Sequence, residues 1–334
     1  MKLTRRSFAA LAGATPLAFQ ARGFAQTPAA SPAADDLFAD INFTPGEYET
    51  PFGVIQLPEN PQRIVTLDDG PLDAILALGV QPIGYTASSN GETAAAYLAD
   101  KVSADATIVD GGWTELDIEQ VIALEPDLII DSRYRDEADV IKLSEIAPVM
   151  IAGSQDEESP EKLQWWEQEQ LAIGHALGML EEAKQVVLDL RARGAAIAEE
   201  AGDKAGQSVV VFRPQADFPV IMSHHWITGV VLTWSGFVGN DLTNETPSPH
   251  SGDTISLEML NLMEADWLFA ASRNEEMTAA LEAYKENAAF QTITAVKNGQ
   301  VALVAGDLWS GATGVLAGHA MMDDIEKIII NGDY

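Results

Sequence analysis

Arginine and aromatic side chains follow several predicted strands, where they could bind a large anionic ligand. Arg213 comes directly after the apolar run VVVF, and Arg133 and Arg135 flank Tyr134 after another short apolar strand. Guanidinium groups donate forked hydrogen bonds to anionic oxygens, and aromatic rings cover apolar surface. The further candidates of this kind are Tyr85, Trp113, His224, Trp226 and Trp309. Because ligands of open α/β sheets bind beyond the carboxyl ends of the strands, these residues predict a binding cleft.

Several of these side chains also have an alternative role. Only one of Arg133 and Arg135 needs to point into a cleft, and the three tryptophans could instead cap the core of a lobe. Arg273 also follows a strand, but acidic residues come directly after it. That context favours an ion pair on the surface, so Arg273 is left out of the predicted site.

The chain contains two similar segments, at residues 116–135 and 256–276. When Glu119 is aligned with Glu258, an acidic residue recurs eight positions on, as Asp127 and Asp266. A short apolar strand and the dipeptide Ser-Arg follow in both copies. Each copy predicts a helix, a tight turn, a buried strand and a polar exit loop. Two units of the same plan predict two α/β lobes with a cleft between them.

Short apolar strands alternate with amphipathic helices in the rest of the chain. This alternation predicts a largely parallel sheet in both lobes. Residues 52–162 are predicted to form the N-terminal lobe and residues 206–334 the C-terminal lobe. Between them, an apolar stripe from Trp165 to Glu200 predicts one helix, roughly 54 Å long at 1.5 Å per residue. This helix, within residues 163–205, is expected to connect two Rossmann-like lobes.

The N-terminus predicts export. Residues 1–25 combine early basic residues, a short apolar run and a small-x-small cleavage site, which is typical of a signal peptide. Arg5-Arg6 indicates the twin-arginine type, although an ordinary secretory signal that carries two arginines remains the alternative. Residues 26–51 begin with a Pro-, Ala- and Ser-rich stretch and are predicted to be a flexible leader.

Composition narrows the possible partners. The chain carries 51 acidic and 19 basic residues, a net charge of −32, which makes nucleic acid and anionic lipid surfaces poor partners. There is no cysteine, so disulfides, thiol catalysis and cysteine metal sites are excluded, and a cysteine-linked lipid anchor is not expected. Export without an anchor favours a periplasmic location.

No catalytic or metal-binding motif stands out. The sequence lacks G-x-S-x-G, H-E-x-x-H and the glycine-rich phosphate loops, and its five histidines lack the usual metal-ligand spacing. We therefore expect no enzyme and no metal centre. A hydrolase remains the alternative from a different class, because a catalytic carboxylate pair could be hidden among so many acids.

Several short motifs occur in an order and spacing that resemble those of one protein family. They are P-x-R-I-V-x-L at 61–67, L-D-x-[IL]-L-A-L-G-V-x-P-[IV]-G at 72–84, D-I-E-x-[IV]-x-A-L-x-P-D-L-I-I at 117–130, I-A-P at 146–148 and A-V-x-N-G-x-V at 295–301. Together they resemble the helix-linked (class III) substrate-binding proteins of ABC transporters that carry ferric siderophores, haem or cobalamin. The likeness covers residues 52–330. It implies a ligand between the lobes, a stiff hinge with modest closure, and no intrinsic cofactor.

The resemblance also implies partners. The ligand is expected to be a ferric siderophore, of the hydroxamate or mixed carboxylate type because basic residues are few; haem or cobalamin is the alternative. For haem, His224 and Tyr134 are minor candidates as axial ligands. In this family, glutamates at the positions of Glu119 and Glu258 meet arginines of the membrane permease, so both are expected to dock a monomeric carrier. The alternative is that both only stabilise a helix N-terminus.

Overall fold

Two separate sheets organise the chain. The computed structural model describes residues 37–88, 93–111, 115–132, 135–152, 162–245 and 254–334. The predicted signal peptide and the first part of the leader lie outside these residues. The end of the predicted leader is instead ordered as a strand, Glu47–Thr50 (β1), because it pairs antiparallel with Gly53–Gln56 (β2) across a tight turn.

The N-terminal sheet has five parallel strands in the order β5-β4-β3-β6-β7. These strands are Ile64–Thr66 (β3), Gly84–Thr86 (β4), Thr107–Val109 (β5), Leu128–Ser132 (β6) and Val149–Ala152 (β7). The helices of this lobe are Asp69–Ala77 (α1), Ile118–Ala123 (α2) and Glu137–Ser144 (α3).

Both faces of this sheet are covered. Leu128 and Ile130 belong to one apolar cluster, with α1, whereas Ile129 belongs to the opposite cluster, with α2 and α3. This alternation follows from the two-residue period of a strand, and it explains why β6 is apolar on both faces and fully buried. The lobe is therefore an α/β unit with a parallel sheet, as predicted, and helices cover both of its faces.

The connection between the lobes is a pair of helices, Trp165–Ala176 (α4) and Leu180–Glu200 (α5). The prediction of one helix over the whole range was wrong in its extent. Gly178 has φ of 70° and ends α4, because this left-handed conformation cannot continue a right-handed helix. The single long helix that joins the lobes is α5, whose 21 residues extend about 31 Å.

The helix α5 folds back against α4. Nε of Arg191 donates to Glu167 across 2.7 Å, although the two residues would lie about 36 Å apart in a continuous helix. Gly174 allows the close approach, since a Cβ there would lie 2.4 Å from that of Ala183. Both helices also reach the C-terminal lobe, where Trp165 contacts Trp226 with ring centroids 5.8 Å apart.

The C-terminal sheet has the order β11-β10-β8-β9, in which β11, β10 and β8 are parallel and β9 is antiparallel. Its strands are Val209–Arg213 (β8), Val220–Ile221 (β9), Trp267–Ser272 (β10) and Val301–Ala305 (β11). Its helices are Ile227–Trp234 (α6), Asp241–Glu245 (α7), Glu275–Lys285 (α8), Thr294–Lys297 (α9), Gly306–Gly311 (α10) and Val315–Ile325 (α11). The second copy of the repeated helix is a 3-10 helix, Leu257–Met263, and a π turn, Glu326–Ile330, follows α11.

The internal repeat has a structural basis. The carboxylate of Asp127 accepts hydrogen bonds from the backbone N–H groups of Gln62 and Arg63, at 2.7 and 2.9 Å. In the other lobe, Asp266 accepts from the backbone N–H of Ser208 at 2.8 Å. Each aspartate precedes its strand by one residue and binds the residues just before the neighbouring strand. The repeated acid therefore sets the same strand register in both lobes.

These features confirm two α/β lobes joined by one long helix. Among the residues that the structure describes, no helix combines the length and the apolar character that crossing a membrane requires.

The buried ion pair between α4 and α5 yields a first prediction. Arg191→Ala leaves the Glu167 carboxylate, which is fully buried, without its cation and should lower the free energy of unfolding by about 3–5 kcal/mol. Lys142→Ala, which breaks the exposed pair with Asp139, should cost about 0–1 kcal/mol and is the matched control. Urea unfolding measures both. Equal losses would show that the pair does not hold the two helices together.

Candidate functional site

Arg213 is the last residue of β8, at the carboxyl end of the C-terminal sheet. Its side chain is half-buried, and among the described residues its guanidinium has no ion-pair or hydrogen-bond partner; its Nε is shielded from solvent. Burial and the positive charge of Arg273 lower the pKa of Arg213. A partly buried cation without a partner is a costly arrangement, and an acceptor bound at the guanidinium would relieve that cost.

Arg273 is the neighbouring cation, directly after β10. Its Nη2 donates to the carbonyl of Ser310 at 3.0 Å, and its Nε lies 3.6 Å from Oδ1 of Asp307. The side chain extends over α10 between two glycines: a Cβ at Gly306 or Gly311 would approach it to 2.6 Å. The approach requires glycine at Gly306, where a Cβ would also lie 2.6 Å from the backbone of Ser272, and α10 forms a cradle that holds this guanidinium.

The predicted surface ion pair of Arg273 needs correction. The pair with Asp307 does form, but only 20% of the arginine side chain is exposed, and it lies beside Arg213 rather than on an outer face. Two guanidinium groups therefore lie near each other at the exits of adjacent parallel strands, in a chain of net charge −32. This pair of cations favours an anion with several oxygens.

Carboxyl groups from the two lobes approach each other next to these cations. Asp69, the first residue of α1, has its pKa raised from 3.8 to about 7, first by burial and then by Asp68 and by Asp307 of the other lobe. Among the described residues, its buried Oδ1 has no hydrogen-bond partner. The site thus combines guanidinium donors with a carboxyl group that can hold a proton near neutral pH.

Arg135 is not a ligand-binding residue in this structure. Its side chain is fully buried, and its Nε donates to Oδ2 of Asp131 at 2.6 Å. Its Nη2 also reaches the carbonyl of Leu67 at 3.4 Å. The prediction fails because the side chain turns into the lobe and neutralises Asp131, whose pKa is nevertheless raised to about 6 by burial.

Three aromatic candidates lie in apolar cores. Tyr85, on β4, is 7% exposed, and Trp226 is 4% exposed in the core of the other lobe. Trp309 is fully buried against Phe269, with its Nε1 donating to Asp324 at 2.7 Å. The structure thus packs all three side chains in cores, which is the alternative that the sequence left open for the two tryptophans.

His224 has a structural role. Its Nε2 lies 2.9 Å from the hydroxyl of Thr233 on α6, and its backbone N–H donates to the carbonyl of Thr243. Burial, with a contribution from His225, lowers its pKa to about 4, so the ring is neutral at physiological pH. Its engaged Nε2 argues against an axial-ligand role. Across the described parts of the chain, no group of three or more histidine and acidic side chains is arranged to hold a metal ion.

The structure does not describe every predicted residue. Arg133, Tyr134 and Trp113 lie outside the described residues. Arg273 was missed, although the repeat offered a signal, because Ser272-Arg273 matches Ser132-Arg133 in the first copy. The acidic residues that follow it misled the prediction: its partner is Asp307, more than thirty positions away.

The matched glutamates Glu119 and Glu258 are both exposed, one on each lobe, near the N-terminus of their short helices. The side-chain cap of α2 is supplied by Asp117, whose Oδ1 accepts from the backbone N–H of Gln120 at 3.2 Å. Asp117, and not Glu119, therefore satisfies the backbone N–H of Gln120 in the first turn of α2. Neither glutamate forms an ion pair within the described residues.

Comparisons with known proteins agree with this architecture. The sequence pattern of the family described as "Periplasmic binding protein" matches residues 64–308. The "Probable siderophore-binding lipoprotein YfiY" of Bacillus subtilis (strain 168) is 28% identical over 282 residues, which cover 82% of this chain and 84% of the relative. The "Fe(3+) dicitrate-binding periplasmic protein FecB" of Escherichia coli (strain K12) is 27% identical over 279 residues, covering 83% and 87%.

Solved structures show the same fold. Staphylococcus aureus SirA complexed with staphyloferrin B superposes with a TM-score of 0.71 at 24% identity, over 84% of this chain and 97% of that one. The FhuD protein from S. pseudintermedius gives a TM-score of 0.69 at 19% identity, over 87% of this chain and 100% of that one.

The raised pKa of Asp69 yields a second prediction. The folded protein holds a proton there that the unfolded chain releases, so this stabilisation is present near pH 3.8 and lost as the pH rises to about 7. Asp69→Asn should therefore reduce the fall in melting temperature between about pH 5 and pH 7.5. Some fall should remain, since burial also raises the pKa of Asp73 to about 7.

Asp105→Asn removes one exposed carboxylate and controls for net charge. A slope in the Asp69→Asn protein equal to that of the parent would contradict the assignment.

Proposed function

The chain belongs to the periplasmic binding protein family, and we propose that it captures a ferric siderophore between its two lobes and delivers it to an ABC permease for iron uptake. The observation that carries the proposal is the unpartnered, shielded guanidinium of Arg213 beside Arg273. The iron chelate is cargo, and the protein itself needs no resident cofactor for this role.

Arg213 is exceptional in this acidic chain. Each of the other described arginines donates to a carboxylate or a backbone carbonyl: Arg63, Arg135, Arg191, Arg193 and Arg273. Leaving a buried donor unsatisfied costs about 1–3 kcal/mol, which the structure must offset elsewhere. An anionic ligand would recover that cost on binding, so the arrangement favours binding over a purely structural role.

The geometry supports a chelate that presents carboxylate oxygens. A guanidinium group can donate two parallel hydrogen bonds to one carboxylate. Two such groups lie on the same lobe, at the exits of adjacent strands. Relatives are named for Fe(3+) dicitrate and achromobactin, which supports an anionic ferric chelate as the ligand class. Of the two classes that the sequence leaves open, we therefore propose a carboxylate-containing chelate rather than a hydroxamate.

Delivery requires a docking surface and an extracytoplasmic location. We propose that residues 1–25 direct export to the periplasm and that Glu119 and Glu258 bind basic residues of the permease. One exposed carboxylate on each lobe lets a partner contact both lobes at once, and such rim charges steer the encounter as well as hold it. The carrier is proposed to act as a monomer.

The arginine pair yields a third prediction, which uses ferric citrate as the probe. Arg213→Ala should weaken binding by about 1.5–3 kcal/mol, because a charge-assisted hydrogen bond in a partly shielded site is lost. Arg273→Ala should weaken binding less, since this cation already interacts with Asp307 and Ser310. Isothermal titration calorimetry measures both affinities, and iron-free citrate should bind more weakly than the chelate.

The control variant is Lys142→Ala, which removes an exposed cation on α3 of the N-terminal lobe. If all three variants retain the parent affinity, the anion site is misplaced; if the parent ignores a panel of ferric carboxylates, the ligand class is wrong.

Docking yields a fourth prediction. The double variant Glu119→Ala/Glu258→Ala should bind ferric citrate as the parent does but should not support iron uptake by cells that contain the cognate permease. Glu145→Ala/Glu286→Ala also removes one exposed glutamate from each lobe and should leave uptake unchanged. Uptake of radioactive iron measures both. Parental uptake by the first variant would leave only helix stabilisation as the role of these glutamates.

A further inference from the structure

A buried carboxylate joins the two lobes. Asp73 lies on α1 of the N-terminal lobe and is 0% exposed. Its Oδ1 accepts from the backbone N–H of Leu316 at 3.0 Å, and its Oδ2 accepts from that of Ala317 at 2.8 Å. Leu316 and Ala317 belong to the first turn of α11, which packs in the core of the C-terminal lobe. The positive end of α11 is thus capped by the other lobe rather than by its own sequence.

Gly314, the residue before α11, allows this contact because it has no side chain. Gly314 has φ of 125°, and a Cβ at this position would lie 2.3 Å from Cγ of Asp73. Both the backbone conformation and the close approach therefore require glycine. One turn earlier on α1, a Cβ at Gly70 would lie 3.3 Å from the hydroxyl oxygen of Thr313. The start of α1 is consequently in tight contact with the segment that leads into α11.

The same segment carries the cradle of Arg273. The helix α10 ends at Gly311, three residues before Gly314, and the carbonyl of Ser310 accepts the Arg273 guanidinium. A short and rigid path therefore links Asp73 in one lobe to the cation beside Arg213 in the other. A displacement of α11 away from α1 would move the Ser310 carbonyl and, with it, the guanidinium of Arg273.

We propose that Asp73 is a positioning residue that anchors the segment 306–317 to the N-terminal lobe, so that it sets both the angle between the lobes and the placement of Arg273. The effect on affinity rests on the proposed binding at Arg213 and Arg273; the effect on the lobe angle does not. Asp73 contacts no ligand in this scheme. It acts through two backbone hydrogen bonds, in the same way as Asp127 acts within a single lobe.

Because the chain has no native cysteine, an introduced cysteine can be labelled specifically. Nitroxide labels at Glu145→Cys and Ala283→Cys, exposed positions on the two lobes, report the distance between the lobes by pulsed electron spin resonance. Asp73→Ala should broaden and shift this distance distribution in ligand-free protein. It should also weaken ferric citrate binding by about tenfold or more. Asp73→Asn keeps one carbonyl acceptor and should restore part of both losses.

Asp127→Ala is the matched control, because it also removes a carboxylate that accepts two backbone N–H groups but leaves the lobe interface intact. It should keep the parental distance distribution and affinity even if it unfolds more easily. Gly314→Ala provides a second route, since the added methyl group displaces the anchored segment without removing any polar atom; it should reproduce the effect of Asp73→Ala.

Parental distances in both Asp73→Ala and Gly314→Ala would overturn the proposal, as would equal affinity losses in Asp73→Ala and Asp127→Ala. If the parent itself does not bind ferric citrate, the proposed ligand class fails. The distance measurements then still decide whether Asp73 anchors the lobes.

Discussion

Hydrogen bonds from backbone N–H groups to single carboxylates hold this architecture together. Asp127 and Asp266 each bind the start of a neighbouring strand, and Asp73 binds the first turn of a helix in the other lobe. In each case the oxygens of a carboxyl group meet donors that secondary structure leaves unsatisfied. These groups thus fix strand register within the lobes and the contact between the lobes.

Several charged groups of this acidic chain are buried or paired. The carboxyl groups of Asp69 and Asp73 are buried, and their pKa values rise to about 7, so both are partly protonated near neutral pH. Most described arginines are committed to carboxylates or carbonyls. Against this background the free guanidinium of Arg213 is informative, because many acids were available in the chain to neutralise it. Its isolation is the physical reason to expect an anionic ligand at this point.

The connection between the lobes suits a carrier with modest motion. The helix α5 crosses from one lobe to the other, while α4 runs antiparallel beside it and places Trp165 and Trp166 in the C-terminal core. The buried Glu167–Arg191 pair ties these two helices together. Two helices and an inter-lobe hydrogen-bonded carboxyl group therefore connect the lobes, as expected for hinges with modest closure.

Periodicity and residue types predicted most strands, the two lobes, the matched aspartates and Arg213 at a strand exit, because these features follow from local pattern and from sheet geometry. The break at Gly178 was not predicted, since the apolar stripe continues on both sides of the turn and a hairpin presents the same stripe as a straight helix. The sequence also could not distinguish exposed from buried aromatic residues. Tyr85 lies within a strand, and Trp226 and Trp309 follow strands, yet all three side chains turn into cores.

Pairing between distant residues decided the rest. Arg273 is held by the carbonyl of Ser310 in α10, more than thirty residues along the chain, and Asp73 meets α11 more than two hundred residues away. No sequence spacing encodes such contacts. The sequence by itself therefore determined the elements and the edge of each sheet where a ligand could bind. Only the tertiary structure decided which side chains reach that edge, because burial and long-range hydrogen bonds compete for the same polar groups.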